Sequence, residues 1–143
     1  MKTRYTSLVN VKKNIVQKSE RTLQLANANL KNAQKALASS FNSLGDITSP
    51  QEGQISDLLS SRMLFDAQRN EIKHNEEWVD FAKHEIRKAK EELKYNMIEY
   101  EKFTYLEIEE IKRIIKEQQI AEAKELDEIA LLTFSNKKNK ETF

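Results

Sequence analysis

The sequence predicts an all-α fold, a long two-helix antiparallel coiled-coil hairpin whose C-terminal helix is the longer. Three observations predict it. Apolar residues recur every seven positions in two long blocks, and the strongest chain breakers fall together between those blocks. The composition pairs 33% charged residues with only 38% hydrophobic ones over 143 residues. A compact globule carries nearer half its residues as apolar, so this balance suits a slender architecture with a thin core.

In the first block Val9, Val16, Leu23, Leu30, Leu37 and Leu44 form one column, and Tyr5, Ser19, Ala26, Ala33 and Ser40 form its companion. Two columns at a seven-residue repeat are a coiled-coil seam rather than the broader face of a globular helix. Helix one is therefore expected over about 3–44. Both glycines, Gly45 and Gly53, and the single proline, Pro50, lie in the next nine residues, which makes 45–53 the hinge. Asp46, Thr48 or Ser49 can cap the following helix ahead of Pro50.

Helix two is expected over about 54–134, with Leu58, Phe65, Ile72, Val79, Ile86, Leu93 and Tyr100 in its column and Ala82, Ala89 and Met97 among the companions. Leu, Ala, Lys, Glu and Gln dominate the sequence as a whole and favour helix. At about 1.5 Å per residue the arms measure roughly 60 Å and roughly 120 Å. Pairing Leu44 with Leu58, Leu30 with Ile72 and Val9 with Leu93 gives residue numbers that add to 102 each time. Periodicity fixes register only modulo seven, and the short connection favours this one or its neighbour. Beyond Tyr100 the interval lands on Glu107. The apolar stripe then passes to Met97, Ile108, Ile111 and Ile115, a step of eleven that reads as a stutter. A basic tail, 135–143, completes a single coiled-coil domain, 1–143.

The net charge of +1 conceals a strong asymmetry. Residues 1–44 hold eight basic residues and one acidic, whereas 101–134 hold five basic and nine acidic. Such helices favour docking on each other, although each exposed pair contributes only a few tenths of a kcal/mol.

Many chemistries are excluded. Two glycines cannot build a phosphate-binding loop or a dinucleotide fingerprint. Without cysteine there are no disulfides, thiolate metal sites or thiol nucleophiles, which fits a cytosolic address. No window approaches the roughly 18 uncharged apolar residues of a membrane span, and no signal-peptide core follows the N-terminus, so a soluble, unexported protein is expected. Glu71 and His74 match the Glu-x-x-His spacing of carboxylate-bridged metal bundles. The second histidine, His84, has Phe81 at the carboxylate position, so both are read as surface residues. No catalytic constellation appears, and neither an enzyme, a cofactor nor a metal is expected. The basic N-terminal face lacks a forked basic-region pattern, and no nucleic-acid partner is expected.

Apolar residues left over from the seam are more informative. Leu59, Met63 and Leu64 stand beside Phe65 near the hairpin tip. Ile108, Ile111, Ile114, Ile115, Ile120, Leu126, Ile129, Leu131 and Leu132 lie beyond the reach of helix one. A helix with such a stripe is not expected to remain bare in water, so it calls for dimerisation, a shifted register or a dedicated partner.

A cysteine-free antiparallel coiled coil of this length, opening on Tyr5 and Leu8 followed by Lys12 and Lys13, resembles the FliJ family of flagellar type III export proteins. The glycine-containing break, Phe65 after it and the closing run Asp127-Glu128-Ile129-Ala130 carry the same resemblance. The YscO-type proteins of virulence secretion look similar. The resemblance implies a non-enzymatic central stalk in flagellum biogenesis and motility, like the coiled coil of the rotary ATPase γ subunit. Its implied partners are the hexameric export ATPase, the cytoplasmic domain of the export gate and export chaperones. Its implied place is the cytoplasmic face of the inner membrane, with membrane association only through partners. On that basis Arg4, Lys12, Lys13, Leu126, Asp127, Glu128 and Ile129 are expected to contact the ATPase, and Leu59, Met63, Leu64 and Phe65 the gate or chaperones. The rival readings are a prefoldin-like holdase and a general coiled-coil adaptor.

Overall fold

The computed structural model describes residues 1–141. These form two helices, α1 (Thr6–Asp46) and α2 (Ile55–Glu141), with no strand among them. Helix α2 is unbroken through 70–78 and continues through the region that composition marks as a basic tail.

The first helix is capped by threonines. Thr3 Oγ1 accepts the Tyr5 N–H at 3.1 Å, and Thr6 Oγ1 accepts the Thr3 N–H at 2.8 Å, a reciprocal arrangement that satisfies donors the helix leaves open. The second helix begins differently from the expectation. Asp46, Thr48 and Ser49 do not cap it. Its first turn closes on the Gln54 carbonyl, which accepts from the Asp57 and Leu58 N–H groups at 3.0 and 3.4 Å. Gly53 makes this start possible. Its φ of 142° is open to glycine alone, and a β-carbon there would stand 3.0 Å from Asp57 Oδ2. That carboxylate sits in the first turn, where the helix dipole favours negative charge.

The chain divides into two units. One is Asn14–Ile98; the other is Met1–Lys13 with the described residues from Glu99 on. In the first unit the helices pack antiparallel around Ala26, Ile86 and Ala89, against which Leu23 and Leu30 lie. Ala33, Ile72, Val79 and Ala82 are also buried, yet no large side chain is fully enclosed, so the core is thin.

Register departs from the expectation. Ala26, Ile86 and Ala89 form one cluster with Leu23 and Leu30, and the hydrogen bonds between the helices join Ser40 to Gln68, Ala36 to Asn75 and Ser19 to Asn96, so facing residue numbers add to 108–115, near 112 rather than 102. The reason is volume. The 102 register stacks two columns of large side chains on each other, which would prop the helices apart, and sets the small columns against each other across the gap so made. The observed register interleaves them, alanine against isoleucine and leucine against alanine, and fills the space between closely approaching helices.

Polar side chains along the seam hold that register. Gln68 Nε2 donates to the Ser40 carbonyl at 2.8 Å, Asn75 Nδ2 to the Ala36 carbonyl at 3.3 Å, and Asn96 Nδ2 to Ser19 Oγ at 2.6 Å. A buried amide is satisfied only where its partner is in reach, so each of these bonds penalises a slip.

Candidate partner-binding surfaces

In the unit containing the N-terminus, the seven-residue interval does not break at Tyr100. Tyr100, Phe103, Glu107, Glu110 and Ile114 are all partly buried, so the seam continues with carboxylates in two of its positions. The expected stutter is absent. Ile108 and Ile115 are 46% and 40% exposed on the outer side of this unit, and Met97, in the other unit, is 43% exposed.

Glu107 is tolerated in the seam because the start of α1 supplies a donor, and Glu110 because Arg113 of its own helix and Arg4 of α1 offset its charge. Thr6 Oγ1 donates to Glu107 Oε1 at 3.1 Å with the same hydroxyl that accepts the Thr3 N–H, joining the helix cap to the seam. Arg4 approaches Glu110 at 3.6 Å, and Arg113 bonds it in a fork, with its closer nitrogen at 2.7 Å. The Arg113 hydrogen bond, and then the charges of Arg113 and Arg4, hold the Glu110 carboxyl below the usual range. The hydrogen bond to Glu110, and then the charges of Glu110 and Glu117, raise Arg113. Lys12 lies 3.9 Å from Glu99 and 5.5 Å from the Phe103 ring centroid, with only 27% of its side chain exposed.

These contacts sort the basic residues singled out from sequence. Lys12 is engaged in the seam. Arg4 pairs with Glu110 and stacks 5.0 Å from the Tyr5 ring centroid, but 71% of its side chain remains open. Lys13 is exposed and enters none of the ion pairs found among the described residues.

Past Ile114, α1 has run out and every side chain through residue 139 is exposed. Ile108, Ile111 and Ile115 follow helical three-four spacing, and Leu126 and Ile129 resume the same face three turns later. Leu126 and Ile129 are 66% and 53% exposed, with Asp127 and Glu128 exposed between them. Leu131, Leu132 and Phe134 are open as well, so the helix is apolar on several sides at 131–134.

The other unit carries its own exposed set at the α1–α2 connection. Leu59, Met63 and Leu64 are open, whereas Phe65 is half-buried. Ile55, Leu58 and Phe41 add to the exposed apolar area. Leu58 is a consequence of the register. Counted in the seam opposite Leu44 from spacing alone, it lies beyond the end of α1 once the pairing moves to 112. A further exposed group, Leu25 with Trp78 and Phe81, was not picked out by the seam count because none of the three falls on a seam position.

Against this geometry, a family model described as the flagellar FliJ protein matches residues 1–139. The chain belongs to the FliJ family. FliJ-family membership makes it a component of the flagellar export apparatus. No curated protein and no solved structure gives a significant match. As a FliJ-family protein it has no helix, among the described residues, long and apolar enough to cross a membrane, and no cluster of His, Asp or Glu suited to a metal ion.

Proposed function

We propose that this FliJ-family chain is a non-enzymatic stalk of the flagellar export apparatus that binds the hexameric export ATPase and promotes its assembly and turnover. The observation that carries the reading is the α2 segment from Ile115 to residue 139, helical throughout and exposed on every side, with Leu126 and Ile129 flanking Asp127 and Glu128. A continuous helix needs nothing from α1 to stay formed where a partner covers it, and its apolar face gains about 25 cal/mol for each Å² that partner removes from water. On this reading Arg4 and Lys13 add charge from the start of α1, while Lys12 acts from within the seam. The exposed Leu59, Met63 and Leu64, with Phe65 behind them, form the second contact, toward the cytoplasmic domain of the export gate or toward export chaperones. On this reading the protein works at the cytoplasmic face of the inner membrane and reaches the membrane only through partners.

The open tip residues also favour a second reading, a holdase that grips unfolded clients. Purification with the export ATPase, followed by turnover measurements, separates the two. A stalk raises ATPase turnover and leaves aggregation of unrelated unfolded clients unchanged. A holdase suppresses that aggregation and leaves the ATPase at its basal rate.

A further inference from the structure

One side of the Asn14–Ile98 unit carries a groove distinct from the surfaces assigned above. Its floor is made by Ala26 and Ala82, 8% and 3% exposed, and its walls by Leu25, Trp78 and Phe81. The cleft encloses about 210 Å³, room for a large apolar side chain. A second cleft shares Trp78 and Phe81 and extends the groove to His74 and Glu77. The small floor comes from the interleaved register, which places alanines here on both helices, while the walls are large residues that stand off the seam.

The charges of this groove identify what it fits. Glu77 and Glu85 are the only acidic or basic residues among the linings apart from His74, and neither enters an ion pair found among the described residues. They stand eight positions apart on α2, about 12 Å, on either side of the aromatic pair. Carboxylates beside exposed aromatic faces favour Lys and Arg, whose stems pack on the rings while their charges meet the acids.

We propose that this groove docks an amphipathic helix of another protein, one that presents a large apolar side chain flanked about one turn to either side by Lys or Arg. A second copy of this chain is a poor occupant. Groove-on-groove packing about a two-fold axis would set the unpaired carboxylates against their own counterparts.

Trp78 is the only tryptophan in the chain, so its emission reports directly on the groove. The test titrates the full chain with a synthetic amphipathic peptide of about 18 residues, long enough to hold a helix, carrying a central leucine flanked by lysines. A saturable blue shift of Trp78 emission is expected. The Glu77→Gln/Glu85→Gln variant is expected to bind about tenfold more weakly or worse, as is Phe81→Ser, with helical circular dichroism unchanged. A peptide with glutamates in place of the lysines is expected to leave the emission unmoved. The proposal is overturned if the lysine peptide produces no shift, or if the glutamate peptide binds equally well. It is also overturned if the shift occurs without peptide as protein concentration rises and the mass doubles.

Discussion

Exchanging the sizes of Ala26 and Ile86 tests the register directly. Both are 8% exposed and belong to one packed cluster. Ala26→Leu adds three carbons to a filled layer, and overpacking of this kind costs about 1–3 kcal/mol. Ile86→Ala removes three carbons, about 2.4 kcal/mol at about 0.8 per buried carbon, with a cavity contribution that brings the expected loss to about 2–4 kcal/mol. Because each change supplies what the other removes, the double variant is expected to recover about 1–3 kcal/mol relative to the sum of the single effects. Urea unfolding followed by helical circular dichroism measures all four corners of the cycle. In the 102 register residue 26 would instead lie level with residue 76, about 15 Å along the axis from Ile86. The two changes would then add to within about 0.5 kcal/mol, and that result would refute the interleaved packing.

Three other outcomes are expected. The Glu110 carboxyl lies below its ordinary value of 4.5, so the stability it contributes is present above that value and is lost as pH falls through the depressed one. A small loss of amide protection around Glu110 and Arg113, whose hydrogen bond is the main cause, is expected on acidification below about pH 4.5, and Glu110→Gln is expected to flatten that dependence. Gly53→Ala is expected to destabilise the protein by about 1–3 kcal/mol, because φ stands at 142° and the new carbon would press on Asp57, whereas Gly45→Ala, with nothing within 4 Å, stabilises it by about 0.5–1 kcal/mol in thermal unfolding. Thr6→Ala leaves both the Thr3 N–H and Glu107 without a partner and is expected to cost about 1 kcal/mol, read as lost amide protection in the first turn of α1, with Thr6→Ser retaining most of it.

Helix number, order and seam columns were legible because heptad spacing and the clustering of Gly45, Pro50 and Gly53 are local signals. Register was not, since spacing is blind to shifts between the large and small columns. The structure chose by fitting Ala26 against Ile86. Glu107 looked like a break because a carboxylate is a poor seam residue taken alone. Only the approach of Thr6, more than a hundred positions away in the chain, gives it a donor, whereas Glu110 is held first by Arg113 on its own helix and then by Arg4. The same long-range pairing engages Lys12 while leaving Lys13 open, a distinction that charge counting along one helix cannot make. The exposure of Leu126 and Ile129 could be read from sequence because α1, whose start lies level with Glu110, does not reach them. Trp78 and Phe81 become conspicuous only when Leu25 of the other helix is brought beside them.

The central claim is that the unopposed end of α2 is the surface that engages the export ATPase. Residues 121–139 are exposed throughout, so among the described side chains truncation after residue 120 removes none that is packed. The account predicts that the truncated protein keeps the helical unfolding transition of the full chain and no longer raises the turnover of the export ATPase. Undiminished stimulation by the truncated protein would contradict it.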